Sequence, residues 1–318
     1  LAQIPVLTAH KPGIVPLRPL QFGDILDGAI KAVRFNPKAM VGLAALVLAI
    51  FLVPSLALSV GVTHLTAASV KRLGPAAQGL LGAPATLLQI TTTTLATAIL
   101  SGLLIHVVSQ AVLGRKPDLA QTWQATRGRV PSLLLLMCVS FLVAVLSAVV
   151  LIGPGVFLLV NGTIGAGVIL MLLGIPGLIA FSLFFSTKIS MAAPAIVLEG
   201  HGLGTGLRRS FALTRGSAFW RVLGITLVAG LIAGVAGSLL GLPFTLISAF
   251  IPGLMGPSEA AQGVVTFLSH LSALLTGAIT TPFAAAVTGL LYIDRRMRLE
   301  ALDVVLLRES QSNPAPPL

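Results

Sequence analysis

Long uncharged apolar runs alternate with short basic patches along the chain, and few architectures tolerate that alternation. A helix needs about 20 mostly apolar residues to cross the hydrocarbon core of a bilayer. Six stretches qualify: Ala39 to Val60, Ala85 to Val112, Pro131 to Ile152, Gly165 to Ala192, Phe219 to Ile247 and Gly263 to Tyr292. The region from Gly153 to Ala193 is long for one span and is interrupted by Gly174, Pro176 and Gly177, so a kink or a re-entrant piece is expected in the fourth. Charged residues make up 9% of the chain and apolar residues 56%, with a mean hydropathy of +1.01, which no ordinary soluble domain approaches.

Basic residues mark the cytoplasmic side of a membrane protein. Of twenty Lys and Arg, all but Lys71 and Arg72 fall into groups that six spans place on one face. These are Lys11, Arg18, Lys31, Arg34 and Lys38; Arg115, Lys116, Arg127 and Arg129; Lys188, Arg208, Arg209, Arg215 and Arg221; and Arg295, Arg296, Arg298 and Arg308. An even number of spans with both termini inside satisfies every group, so 61–85 are expected outside and 113–130 and 199–218 inside. The net charge of +11 then needs no nucleic acid to explain it. No secretory signal is expected before the first span, and Leu1 in place of Met suggests that the true start is missing. The one cysteine, Cys138, lies in the third span and supports neither a disulfide framework nor a thiolate metal site.

The cytoplasmic segments share a plan. Phe22, Ile25, Leu26, Ala29, Ile30 and Val33 follow the spacing of an amphipathic helix, with Asp24, Asp27, Lys31 and Arg34 on its other side. That helix is expected flat at the headgroups and ends at Asn36-Pro37, because proline disfavours helical geometry in the residue before it. A weaker copy runs through Leu119, Trp123 and Val130 to Pro131; a third runs through Leu203, Leu207 and Phe211 towards Phe219 and Trp220. The predicted fold is an all-α integral membrane helical bundle of six transmembrane helices with a threefold repeat of interfacial helix plus hairpin. It reads as a single membrane domain over 1–310, with an interfacial helix 20–35, hairpin units of about 37–113, 117–198 and 203–293, and a C-terminal helix 293–308. Residues 311–318 read as a disordered tail.

Catalysis needs titratable groups that converge, and the acids are few: Asp24, Asp27, Asp118, Glu199, Glu259, Asp294, Glu300, Asp303 and Glu309. None lies in the middle of an expected span, where ion-coupled transporters usually carry ionisable residues. Asp24, Asp27, Glu199 and Asp294 sit among basic residues and are expected to pair with Arg34, Arg208, Arg209 or Arg295, tying the surface helices together. Gly200, Gly202, Gly204 and Gly206 precede Arg208 and Arg209. Free N–H groups at a helix start and two guanidinium groups make a candidate seat for a phosphate or an anionic lipid headgroup, beside the plainer reading of a flexible connection. No strand precedes the run and no Lys-Ser or Lys-Thr follows it, so neither a Rossmann turn nor a P-loop is supported.

Gln89, Thr93, Thr97 and Ser101 form one stripe on the second span, with His106 near its inner end. Ser269, Ser272, Thr276 and Thr280 form another on the sixth, with His270 near its outer end. The two stripes are read as a polar seam between spans two and six, or as ordinary interhelical contacts. Gly230, Gly234, Gly237, Ser238 and Gly241 mark the fifth span as a close-packing helix. His10, His64, His106, His201 and His270 share no ligand spacing, so no metal or cofactor is expected.

Several short motifs resemble actinobacterial proteins known as the membrane domain of glycerophosphoryl diester phosphodiesterases. At the start these are Pro16-Leu17-Arg18-Pro19-Leu20, Gly23-Asp24-Ile25-Leu26-Asp27-Gly28-Ala29 and Asn36-Pro37. Pro194-Ala195-Ile196-Val197-Leu198-Glu199, Arg208-Arg209-Ser210, Phe219-Trp220-Arg221 and Leu291-Tyr292-Ile293-Asp294-Arg295-Arg296-Met297-Arg298 continue the likeness. The resemblance implies a polytopic protein of the bacterial inner membrane, often without a catalytic domain. In the phosphodiesterase the chemistry resides in a separate soluble barrel with a His-Arg-Gly run and a Glu-x-Asp pair. Here the nearest approximations are Thr126-Arg127-Gly128 and Thr214-Arg215-Gly216, and no soluble stretch could hold a barrel of about 250 residues, so the chain is not expected to be an enzyme. The sequence reading is a non-catalytic membrane scaffold or accessory subunit that meets anionic phospholipid and a protein partner or second copy through basic helices. A lipid or small-solute transporter using the polar seam is the alternative.

Overall fold

A computed structural model of the protein describes residues 13–300 except 74 and 257, and leaves aside the side chains of 63 and 66–86. Among the described residues there is no strand, and ten α-helices follow one another. They are α1 (Phe22–Phe35), α2 (Leu43–Leu73, preceded by a π-helical turn Lys38–Gly42), α3 (Pro75–Val112), α4 (Leu119–Thr126), α5 (Val130–Val160), α6 (Ile164–Ile189), α7 (Ala192–Leu198), α8 (Leu203–Leu213), α9 (Ser217–Met255) and α10 (Glu259–Glu300). Six helices are long and apolar enough to cross a membrane. In chain order the short α1 precedes the long α2 and α3, the short α4 precedes α5 and α6, and the short α7 and α8 precede α9 and α10. Expectations for Lys11, Arg308, Asp303, Glu309, His10, the tail, the last part of the C-terminal helix and the side chains of Lys71 and Arg72 lie outside the described residues.

By its contacts the chain forms two compact units, 1–125 with 229–318, and 126–228. In the first, α10 is the hub, touching α1, α2 and α3. Its stretch from Ala285 to Asp294 is almost wholly buried, with Gly289 against Val108 of α3, and earlier along the helix Gly277 lies against Leu48 of α2. At about 1.5 Å per residue, the 42 residues of α10 reach some 60 Å, twice the hydrocarbon thickness. The helix therefore outruns the apolar stretch Gly263 to Tyr292 at both ends. Pro282 inside it is buried.

α1 forms where the 3.6-residue periodicity predicts it. The Asp24 carboxylate accepts the Gln21 N–H at 3.0 Å in a reciprocal capping box, and Asn36 ends the helix. The Asn36 Nδ2 donates to the Pro117 carbonyl at 2.9 Å and its Oδ1 accepts the Ala39 N–H at 3.2 Å, so one side chain closes α1 and starts the next helix. The buried stripe, however, is Ile25, Gly28, Ala29 and Ala32, turned roughly a quarter of the way round from the expected apolar set. Close approach is the reason. A Cβ on Gly28 would stand 2.9 Å from the Leu290 Cδ1, so the helix sits on α10 by its small-residue edge. The larger Phe22 and Ile30 stay exposed.

One arrangement anchors this helix. Asp294, completely buried, accepts the Leu20 N–H at 2.8 Å and the Arg298 Nε at 2.9 Å, while the Arg298 Nη2 donates to the Leu20 carbonyl at 2.7 Å. Both backbone groups of Leu20 are thus held by an acid–arginine pair one helical turn apart.

The second unit holds the α5–α6 hairpin, with α7 and α8 beside it. The expected end of the third span at Ile152 is corrected: α5 continues through Gly153, Pro154 and Gly155 to Val160. The turn is Asn161 to Thr163, where Gly162 takes φ +80°. The fourth span does not break either. α6 is one continuous helix through Gly174, Pro176 and Gly177. The glycines serve contact instead: Gly155 lies against Met171, Gly167 against Leu159, and Gly174 against the Leu151 backbone.

Replacing Asp294 with Ala leaves the Arg298 Nε and the Leu20 N–H without their acceptor together, and we expect a loss of roughly 3 kcal/mol. Thermal denaturation in mild detergent reads the loss, and limited trypsinolysis within α1, after the exposed Lys31 and Arg34, should accelerate. Unchanged cleavage there would sink the anchoring role.

Candidate functional site

The expected cytoplasmic ion-pair cluster resolves into short-range pairs. In the first unit Asp24 meets Arg18 at 3.6 Å, Asp27 pairs with Lys31 one turn along α1, and Asp294 pairs with Arg298. Arg34 joins none of these acids: it is exposed in the last turn of α1, and no carboxylate among the described residues pairs with it. Arg295 lies half-buried beside Asp294. In the second unit Glu199 takes Arg209 at 3.2 Å, with the Arg209 Nε at 3.3 Å and His201 Nδ1 at 3.2 Å. Helical i,i+4 neighbours and adjacent turns win over more distant partners because they are already in reach.

The glycine run is divided by the fold. Gly200 takes φ +72° beside the Arg129 guanidinium. Gly202 is the N-cap of α8, and Gly204, within the first turn, stands open. Gly206 is buried, where a Cβ would come 2.8 Å from Ile196 of α7, so it is a packing glycine. Arg208 and Arg209 lie past the first turn of α8; Arg209 is taken by Glu199 and Arg208 is exposed.

Four hydroxyls of the polar stripes are engaged locally. Thr93 donates to the Gln89 carbonyl at 2.8 Å, Thr97 to Thr94 at 2.9 Å, Ser101 to Ala98 at 2.8 Å, and Thr280 to Thr276 at 2.9 Å. On α10, Ser272, Thr276 and Thr280 meet α9. A Cβ on Gly237 would lie 3.0 Å from the Thr276 Cγ2, and one on Gly241 3.3 Å from the Ser272 Oγ. The close-packing role read for Gly237 and Gly241 is thus exercised against the sixth span's stripe.

Two features escaped the sequence reading. His270, buried on α10, faces the Ser55 Oγ of α2 at 3.3 Å through Nε2, while its Nδ1 lies 2.9 Å from the Thr266 carbonyl. The carbonyl accepts only from an N–H, so Nδ1 carries the proton and Nε2 accepts from the serine. Further out, His64 of α2 meets Glu259 of α10 at 2.9 Å, a second bridge between the same helices. In the second unit Lys188 is more than a topological charge. Its Nζ donates to the Thr214 carbonyl at the end of α8, 2.9 Å away, and lies over the rings of Phe184 and Phe219 at 5.8 and 5.3 Å. Ser210 completes the joint, donating to the Lys188 carbonyl at 2.6 Å and accepting the Met191 N–H at 3.1 Å. The four-residue spacing of Phe184 and Lys188 was the available signal. Among the described residues no three His, Cys, Asp or Glu gather as a metal site.

Glu199 and Arg209 are both largely shielded, so a double-mutant cycle with Ala at each should return a coupling of roughly 1 kcal/mol by thermal denaturation. Additive losses would reduce the pair to a surface coincidence.

A family model described as Domain of unknown function (DUF7847) matches residues 20–292, and the chain belongs to that family. No curated protein and no solved structure matches it.

Proposed function

We propose that this DUF7847 chain is a polytopic protein of a bacterial cytoplasmic membrane, crossing it six times with both termini inside. In this reading it acts without catalysis, as a scaffold or accessory subunit. The α1, α4 and α8 segments, with Lys31 and Arg34, Arg127 and Arg129, and Arg208 and Arg209 in or just beyond them, each meet anionic lipid or a protein partner or second copy at the cytoplasmic side.

The observation that carries the membrane reading is the α5–α6 hairpin. Its two helices pack chiefly on each other, yet only 6% of the most apolar stretch of each is buried. Leu146, Val150, Phe157, Ile169, Leu172 and Leu173 are all exposed. Soluble monomers rarely expose contiguous apolar patches beyond a few hundred Å². Each such side chain left in water forgoes about 1.5–3 kcal/mol, and hydrocarbon removes the penalty. The scaffold reading is favoured over the transporter by the polar stripes: the hydroxyls of Thr93, Thr97, Ser101 and Thr280 bond within their own helices, and Gly237 and Gly241 of α9 lie against Thr276 and Ser272 of α10. Ion pairs within α1, Asp27 with Lys31, and from the end of α7 to α8, Glu199 with Arg209, fit a rigid surface better than a translocation path.

The topology is tested by single cysteines in a Cys138→Ser background. A cysteine at Asn161, in the exposed α5–α6 turn, should react with an impermeant maleimide in intact cells, and one at Gln124, exposed on α4, only after permeabilisation. The reverse pattern would overturn the orientation. Gentle extraction with chemical crosslinking then addresses the role: a stoichiometric protein partner or dimer is expected. A solitary monomer that carries solute across liposomes would replace the scaffold with the transporter.

A further inference from the structure

The first unit carries a groove of about 230 Å³ between the end of α1 and the middles of α9 and α10. Its walls are hydrocarbon: Ile30 and Val33 from α1, Ile232, Ala233 and Ala236 from α9, and Ile279 and Phe283 from α10. Thr280 also lines it, but its hydroxyl donates to the Thr276 carbonyl, so its hydrogen-bonding need is met within the helix. The alanines make the recess, since larger side chains on that face of α9 would fill it. One lining residue is charged. Arg34 stands at the groove, exposed, with no carboxylate partner among the described residues.

We propose that this groove seats one acyl chain of an anionic phospholipid of the cytoplasmic leaflet, with the lipid phosphate held by Arg34. The proposal rests on the membrane reading above and adds to it a particular lipid position.

Charge complementarity selects the occupant. The two acids of α1 are engaged elsewhere, Asp24 by Arg18 and the Gln21 amide and Asp27 by Lys31. The helix dipole favours a cation at the C-terminal turn where Arg34 sits, so the guanidinium is held there with its donors still available. A guanidinium offers the fork that phosphate oxygens accept in pairs. Apolar walls alone would not distinguish this place, because lipid tails wet any apolar surface equally. The distinction lies in a hydrocarbon recess that ends at one uncompensated cation, which matches a molecule with an acyl chain below and a negative phosphate above. A neutral apolar molecule leaves Arg34 unanswered, and a free phosphate leaves the recess empty.

The test reconstitutes the full chain in vesicles of equal parts phosphatidylglycerol and phosphatidylcholine, with a photoreactive acyl chain on one lipid or the other. Phosphatidylglycerol should label peptides containing Ala233, Ala236 or Phe283 in preference to phosphatidylcholine. Arg34→Gln should lower that labelling about five- to tenfold while leaving phosphatidylcholine labelling unchanged, as expected for loss of one phosphate-bound charge. Arg34→Lys, which keeps the charge and loses the fork, should fall between. Ala236→Trp should reduce labelling by both lipids at this place, and Ala233→Leu serves the same end if the tryptophan variant fails to fold. Equal labelling by both lipids, unaffected by Arg34→Gln, overturns the proposal in favour of ordinary annular lipid. Crosslinks from these residues to a second copy, or to residues 301–318, overturn it in favour of those occupants. The Asn161 and Gln124 cysteines are read in the same preparations, so lost lipid preference with intact topology removes this proposal alone, and inverted topology removes the membrane reading beneath it.

Discussion

Asp294 keeps a carboxylate in a place closed to solvent, and the placement of the first helix follows from how that charge is satisfied. An unpaired buried carboxylate would be too costly to keep. This one has a guanidinium one turn along its own helix and a backbone amide from the far end of the chain. Because Arg298 also takes the Leu20 carbonyl, Leu20 is gripped as a neighbouring strand would grip it, with both polar backbone groups engaged. The start of α1 is then fixed one residue before its capping box, and Gly28, Ala29 and Ala32 come down on α10 in a single register. Everything further along α1, including the position of Arg34 beside α9, is measured from that grip.

The two units stand in different relations to their surroundings. The most apolar stretches of α3 and α10 are 56% and 44% buried inside the protein, whereas those of α5 and α6 are 6% buried. The first unit therefore owes its cohesion to protein–protein packing: Leu48 against Gly277, Val108 against Gly289, and the Ser55–His270 contact between helices. The hairpin of the second unit is held by glycine notches facing Met171, Leu159 and the Leu151 backbone, with large side chains turned outwards. Small residues at a helix contact and bulky ones outside are what a low-polarity solvent selects, since apolar burial there offers no advantage over apolar exposure.

Much of this was legible in the sequence, and the omissions have physical causes. Apolar run length located six long helices, the periodicity of Phe22 to Val33 located α1, and Asn36-Pro37 located its end. Helix ends were less legible. Gly153-Pro154-Gly155 is a poor helix former by propensity, but α5 runs through it with Gly155 packed against Met171 of α6, and tertiary contact outweighs propensity there. Partners were the least legible. The Asp294 to Arg298 spacing was visible, yet its third member is the backbone of Leu20, and backbone groups leave no mark in a side-chain pattern. The polar stripes were placed on the right helices, but which neighbour a stripe meets depends on helix rotation. A few small residues, Gly237 and Gly241, settle that rotation for α10 against α9.

The grip on Leu20 also orders events in time. Leu20 and Asp294 are 274 residues apart, and α10 is the last of the described helices to be made. At about 5–20 residues per second, roughly a quarter of a minute to a minute passes between synthesis of α1 and arrival of the carboxylate that positions it. Through that interval the small-residue edge of α1 has no seat, and α2 and α3 lack the helix that buries their inner faces. Pairing within the α2–α3 and α5–α6 hairpins is under no such delay, since each of these helices finds its chief partner in the other. The hairpins can thus be complete before the hub of the first unit's core, which is made last.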